Sequence, residues 1–240
     1  MNTLIVGMGE VGTAHFNILK EKHKMFCVDL DESKNILPSS HADKIEVMIV
    51  CLRYSETFIE TVRAYIEKYD PSYVNICSTV PPGTTRAVHP EAVHSTTRGL
   101  HPKLESGLRT ITKHIGGKRS TFFKFYFEGS GIKTHCANTP ETTEVAHILN
   151  NCAYGVNLML ADEMAKICRS YGVDYFESVM LYTATNNMGY EELDHGTKVR
   201  MILTPPNGKI GGHCVSQSAN LIPKEIRTPI LERLANYNAD

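Results

Sequence analysis

The residues of this chain that could do chemistry begin near its start. Gly7-Met8-Gly9-Glu10-Val11-Gly12 directly follows an apolar run, Thr3–Val6, and directly precedes a helix-like run that reaches Lys22. A second apolar run, Met25–Leu30, carries Asp29 near its end. Strand, glycine turn, helix and acidic strand end make up the context that dinucleotide binding requires. Gly7 would permit the tight turn, Gly9 would let a pyrophosphate approach the backbone, and Gly12 would let helix and strand pack closely. The helix start, with Glu10 and Val11, would stabilise the phosphate charge. Asp29 would accept the ribose 2′-hydroxyl and repel a 2′-phosphate. No arginine follows it closely, so NAD is favoured over NADP; a glycine turn used only structurally is the alternative. Further along, His147, Asn150, Asn151 and Tyr154 form a polar cluster, and His147 and Asn151 share one helical face. Polar groups facing a domain junction need partners, and a ligand can be one. Arg98, His101 and Lys103 form a basic set suited to a phosphate or carboxylate, or to a solvated loop. His135-Cys136 and His213-Cys214 lack the spacing of a zinc site, so no metal is expected.

The elements that position these residues alternate. Val47–Leu52 reads as a buried strand, Ser55–Tyr69 as an amphipathic helix, and Tyr73–Thr79 as a strand leading into Val80-Pro81-Pro82-Gly83-Thr84-Thr85. Ala92–Thr97, His114–Gly116 and Ile132–Ala137 are further strand candidates, and Phe122, Phe123, Phe125, Tyr126 and Phe127 suit a core helix. The class is α/β, a Rossmann-type doubly wound and mostly parallel sheet. Ligands in such sheets sit at the carboxyl ends of the strands, here Gly9, Arg53, Thr79 and the segment from Arg98 to Lys103. A long central helix follows over Thr139–Tyr171, with Thr139 as N-cap, Pro140 in the first turn and Gly172 as the stop. One apolar stripe holds Val145, Ile148, Cys152, Val156 and Met159, and a second holds Leu160, Met164, Ile167 and Tyr171. A helix apolar on two sides is expected between two bodies. Tyr175–Thr185 and Tyr190–Lys198 look helical, and a loop from Thr204 to Cys214 precedes a helix-like tail. The division expected is an NAD-binding Rossmann domain over 1–138 and a smaller, mostly helical substrate and dimerisation domain over 139–240.

Composition narrows the class. A formal net charge of −1 points to no nucleic acid and no anionic membrane, and no apolar run approaches a membrane span. Seven cysteines, odd in number and unevenly spread, suit reduced thiols in a cytoplasmic protein.

Together these motifs resemble the UDP-glucose/GDP-mannose dehydrogenase family, most closely its UDP-N-acetylmannosamine dehydrogenase branch. The turn Gly7–Gly12 with Val28–Lys34 looks like that family's cofactor turn and ribose acid. Cys77–Thr84 is similar to its STVPxGT segment, and His101–Gly107 with Lys113–Gly117 to the branch's PERxxPG and IIGG stretches. Glu144–Glu163 resembles its central dimer helix, and Gly211-Gly212-His213-Cys214 matches its GGHC nucleophile loop. The resemblance covers nearly the whole chain, in a short form without the family's C-terminal UDP-binding domain. It implies NAD-dependent oxidation of a sugar alcohol in two steps. The aldehyde is held as a thiohemiacetal on a cysteine, the position of Cys214. Backbone N–H groups or a helix start would lower its pKa; a buried structural thiol is the alternative. Three positions depart from the family. His147 stands where it has a catalytic lysine, although Asn151 is retained; Ser218 replaces an aspartate, and Lys103 replaces the first acid of the PE segment. A histidine of ordinary pKa, about 6.5, can take the hydroxyl proton at neutral pH, leaving the oxyanion to Asn151. Ser218 cannot serve as a carboxylate, which leaves one oxidation open as well as two.

The function expected is an NAD-dependent oxidoreductase acting on a hydroxyl of a small polar or sugar-like substrate. Arg98, His101, Lys103, Gly211 and Gly212 would lie at that substrate, and the central helix would pair two chains in a homodimer. The alternatives are a one-step hydroxyacid-type dehydrogenase and a catalytically impaired NAD-binding sensor or partner protein.

Overall fold

The computed structural model describes residues 1–39, 43–207, 210 and 212–237, excluding the side chains of residues 212–214 and 216. It is an α/β chain with a seven-stranded sheet, a long helix and a helical C-terminal part. The strands are β1 (Asn2–Val6), β2 (Lys24–Val28), β3 (Val47–Val50), β4 (Tyr73–Ile76), β5 (Val93–His94), β6 (Lys113–Gly116) and β7 (Thr134–Ala137). Their order is β2-β1-β3-β4-β5-β6-β7, all parallel except the β5–β6 pair. Continuous apolar runs form the central strands because both faces are covered. Ile5, Val47 and Ile49 face a cluster with Ile18, Leu19, Phe123 and Phe127. Their neighbours Leu4, Val6, Met48 and Val50 face Phe58 and Val62. The helices of this sheet are α1 (Glu10–Leu19), α2 (Phe58–Tyr69), α3 (Thr84–Val88), α4 (Leu104–Thr110) and α5 (Ser120–Glu128).

Several boundaries differ from those the sequence predicts. β3 and β4 end at Val50 and Ile76, where the pairing stops, short of Leu52 and Thr79. Ile132 lies outside β7 because its N–H is donated to Phe127 O, closing the end of α5. The short helices α3 and α4 occupy segments that carry no apolar period of their own.

The long helix α6 spans Pro140–Tyr171, as predicted. The Thr142 N–H donates to Thr139 Oγ1 at 3.3 Å, an N-cap. At the far end Gly172 takes φ 67°, and the Val173 N–H reaches back to Cys168 O at 3.0 Å, the six-to-one bond of a Schellman stop. The chain forms two compact units, Met1–His147 and Ile148–Asp240, and α6 runs through the division.

In the second unit a π-helical turn, Phe176–Leu181, continues into α7 (Tyr182–Glu192), and α8 (Gly212–Asn220) and α9 (Pro229–Ala235) follow. The two helices predicted at 175–185 and 190–198 are joined across Asn186–Gly189, and α7 ends before Asp194, which is left-handed at φ 58°. α8 starts at Gly212, so the backbone of Cys214 lies in its first turn and not in a loop. The first apolar stripe of α6 is core from Ile148 onward, where Ile148, Cys152 and Met159 pack with Val215, Ala219 and Leu234, whereas Val145 is 39% exposed. The second stripe is open, with Leu160 52% exposed, Ile167 58% and Tyr171 80%. Among the described residues no helix is long and apolar enough to cross a membrane.

Gly155 lets α8 and α9 close on α6, since a Cβ there would stand 2.4 Å from Val215 Cγ1 and 2.7 Å from Leu234 Cδ1. Helix propensity alone favours alanine by about 1 kcal/mol, whereas overpacking costs about 1–3 kcal/mol. Gly155→Ala should therefore lower the denaturant midpoint, and Val215→Ala in the same chain should recover part of the loss. A higher midpoint for the single variant would show that the packing gives way.

Candidate active site

The carboxyl end of β1 runs straight into the glycine turn. A Cβ at Gly12 would stand 1.9 Å from Gly7 O, so only glycine lets α1 pack this closely on the turn. Among the described residues no side chain caps α1 at Gly9, and nothing lies within 4 Å of the position a Gly9 Cβ would take. The helix start is thus open to an anion. Asp29 is held against the turn: its carboxylate accepts the Met8 N–H at 2.5 Å and the Asp31 N–H at 3.0 Å. The Asp31 bond, then the Met8 bond, keep its carboxyl below the usual range. A cavity of about 480 Å³ adjoins the turn, lined by Gly9, Glu10, Thr13, Lys34 and Pro102 among others. These residues fit a dinucleotide: uncapped N–H groups for phosphate, a fixed carboxylate for ribose and space between.

Predicted site residues from four separate segments meet in two pairs. His147 Nε2 lies 3.1 Å from Thr79 Oγ1, which joins α6 to the segment after β4. The next anchor is Glu144, 1% exposed, whose carboxylate accepts the Gly83 N–H at 2.6 Å and the Thr85 N–H at 2.8 Å. Burial raises the Glu144 pKa against these two bonds. A third tie is His94, fully buried, with Nδ1 2.8 Å from Thr143 Oγ1 and Nε2 3.2 Å from Ser78 O. His101 Nδ1 contacts the Glu10 carboxylate, so it lies at the glycine turn. Arg98 donates to Thr112 O, while Arg53 and Lys103 are exposed.

In the second unit Asn151 Nδ2 donates to Ser218 Oγ at 3.0 Å, and Ser218 is fully buried. Gly211 and the surroundings of Gly212 and Cys214 lie outside the described residues.

The ordinary pKa expected for His147 is corrected by the structure. Burial, then the positive charges of Arg98 and Lys113, push it down to about 4. The imidazole is neutral at pH 7.

Comparison with protein families finds none that matches the chain. Individual relatives are informative. The chain is 24% identical over 229 residues to the UDP-N-acetyl-D-mannosamine dehydrogenase of Methanocaldococcus jannaschii, covering 85% of this chain and 50% of that one. The enzyme of the same name from Methanococcus maripaludis is 26% identical, over 77% of this chain and 45% of that one. The chain is a distant homologue of UDP-N-acetyl-D-mannosamine dehydrogenases. It spans about half the length of these curated relatives. The fold matches the solved UDP-D-ManNAc dehydrogenase of Pyrococcus horikoshii at TM-score 0.75 and 18% identity, over 98% of this chain and 69% of that one. It also matches 3-hydroxyisobutyrate dehydrogenase from Mycobacterium tuberculosis at TM-score 0.67 and 16% identity, over 98% and 92% of the two chains.

Against the UDP-N-acetyl-D-mannosamine dehydrogenase motifs, sequence reasoning left out three residues. Glu144 reads from sequence as a helix-dipole acid; only its burial shows it to be the anchor of the Gly83–Thr85 backbone. His94 sits on a strand too short to show a pattern. Lys34 lies in VDLDESK, and its side chain reaches the cavity beside Gly9 with Nζ 3.7 Å from Asp31. Scanning for cations beyond arginine would have found it.

The buried histidines set an acid limit. Burial lowers His94 to about 3 and His147 to about 4, from 6.5. Both folded pKa values lie below the unfolded value, so the unfolded chain binds more protons as pH drops. Their contribution is present above about pH 6.5 and is lost on acidification, down to about 4 for His147 and about 3 for His94. The unfolding midpoint should already fall between about pH 6.5 and 5, ahead of most carboxylates. A flat profile there would show that the two imidazoles protonate inside the fold.

Proposed function

We propose that this chain is an NAD-dependent dehydrogenase acting on a CH–OH group of a small polar, sugar-like substrate. The observation that carries the reading is the glycine turn closed by Asp29, an uncapped helix start beside a fixed carboxylate. The distant homology to nucleotide-sugar dehydrogenases supports it. NAD bound at this turn supplies the hydride acceptor. Asp29 takes the ribose hydroxyls and disfavours a 2′-phosphate, although Lys34 moderates that preference.

Above pH 4 the His147 imidazole is neutral and can accept the hydroxyl proton as the hydride leaves. Thr79, at its Nε2, orients the ring and can pass the proton on. Asn151, held by Ser218, offers an amide N–H to the developing oxyanion, and Arg98, His101 and Lys103 are the groups that take an anionic part of the substrate. Cys214, whose backbone lies in the first turn of α8, is the nucleophile for a second oxidation, with Gly211 and Gly212 at the substrate. One-step oxidation is the second reading. It is favoured by the half-buried Asn151–Ser218 bond, because a hydroxyl stands where thioester hydrolysis would call for a carboxylate.

The exposed stripe of α6, with α7 in which no residue is buried, is the surface on which a second copy would pair. An apolar stripe of this length left to water promotes association.

The purified chain, offered a panel of sugar and hydroxyacid substrates, should reduce NAD with at least one member and bind NAD more tightly than NADP. Asp29→Ala should narrow that gap about tenfold or more, the value of a lost hydrogen bond to a charged group. Two NADH per substrate, falling to one in Cys214→Ser, would establish the covalent route; one NADH in both would establish the single step. Failure to bind NAD would refute the assignment. Sedimentation should return twice the chain mass, and a monomer that persists with concentration would exclude the paired helix.

A further inference from the structure

We propose that Cys51 and Cys77 form a redox-active dithiol, closed to a disulfide by a hydroperoxide and reopened by a thiol. The placement follows from strand register. Val50 pairs with Ile76 across β3 and β4, so Cys51 and Cys77 occupy the next rung. Adjacent strands lie about 4.7–4.9 Å apart, inside the roughly 4.4–6.8 Å Cα separation that a disulfide spans. Residues in register share a face, and the two Sγ atoms and a ring nitrogen of His15 all lie within 4.8 Å of one another.

The surroundings select one thiolate. Asn75 Nδ2 donates to Cys77 Sγ at 3.2 Å, and Lys113 Nζ lies 3.6 Å from it. Lys113 is itself buried, 3% exposed, and donates to Ser95 O at 2.7 Å. Burial raises the Cys77 thiol, but the Cys51 thiol, Lys113 and His15 outweigh it and hold it well below its ordinary value. Cys51 goes the other way, raised first by its hydrogen bond to Cys77 and then by burial. Cys77 is thereby the more acidic thiol of the pair and Cys51 the less acidic, the order needed for attack by one and resolution by the other.

Two thiols and an imidazole also resemble a metal site, but a cation already occupies their midst. Lys113 Nζ stands 3.3 Å from His15 Nε2 as well as beside Cys77. A second cation there meets its repulsion.

The step balances. The Cys77 thiolate attacks one oxygen of hydrogen peroxide, the O–O bond breaks, and the departing hydroxide takes the Cys51 proton to become water. The new Cys51 thiolate then attacks the sulfur of the Cys77 sulfenic acid. An S–S bond forms, a second hydroxide leaves, and solvent protonates it. Two sulfurs are oxidised by one electron each, and the peroxide is reduced to two waters. The product strands the buried Lys113 charge without its counterion. It also acts on the cofactor turn, because the Cys51 N–H donates to Val6 O at 2.7 Å and Cys51 O would stand 2.9 Å from a Cβ at Gly7.

The test uses the whole reduced chain, graded hydrogen peroxide, alkylation and peptide mass spectrometry. The expected product is a Cys51–Cys77 cross-link, two hydrogens lighter than the dithiol, formed before the partly exposed Cys136 is oxidised and reversed by dithiothreitol. Cys51→Ser should halt at a sulfenic acid on Cys77 that dimedone traps. Lys113→Met should slow oxidation about tenfold for each unit that the Cys77 pKa rises. The proposal is overturned if both thiols remain alkylatable at peroxide levels that oxidise Cys136. It is equally overturned if zinc binds stoichiometrically and protects both.

Discussion

The Glu144 carboxylate is the constraint on which the site in the first unit depends. The segment after β4 contains two prolines and turns through Gly83, so its backbone cannot satisfy itself within a ladder. Glu144 takes the Gly83 and Thr85 N–H groups on one side chain, and leaving them buried without it would cost about 1–3 kcal/mol each. The same turns of α6 carry Thr143 to His94 and His147 to Thr79. The Arg86 guanidinium forks onto Glu141 at 2.6 and 2.9 Å from outside. A displaced Glu144 would release the loop that positions Thr79, and with it the hydroxyl on His147.

The fold was legible wherever one signal ran over many residues. The glycine turn, the buried strands and the caps of α6 follow from local patterns, because each is decided within a few residues of chain. Legibility failed where contacts from elsewhere decide. β3 and β4 stop when their partners stop, α3 and α4 are too short to show a period, and α7 bridges a polar gap that reads as a break.

The site divides in the same way. Residue types and spacing pointed to Gly7, Gly9, Gly12, Asp29, Thr79 and His147, but not to the partner each would take. Arg98, His101 and Lys103 read as one basic set; in the structure Arg98 is committed to Thr112 O and His101 to Glu10. Charge counted along the chain does not reveal which charges are already paired. The Cys51–Cys77 pair was invisible for the related reason that its members are distant in sequence and joined only by register.

The low His147 pKa bears on why a histidine can stand where the resembled family has a lysine. Position 147 is buried, and the charges of Arg98 and Lys113 reach it. A lysine added to that field would face desolvation and two like charges, and would lose its proton more readily than in water. An imidazole avoids the conflict by staying neutral, which keeps it a proton acceptor but withholds a cation from the oxyanion. In the function proposed, the oxyanion then relies on a neutral donor, Asn151, in place of that charge. In that proposal the base and the oxyanion donor, joined in one lysine in the resembled family, stand on different residues. Lys113 cannot fill the second role, since its ammonium is committed to Cys77 and to Ser95 O.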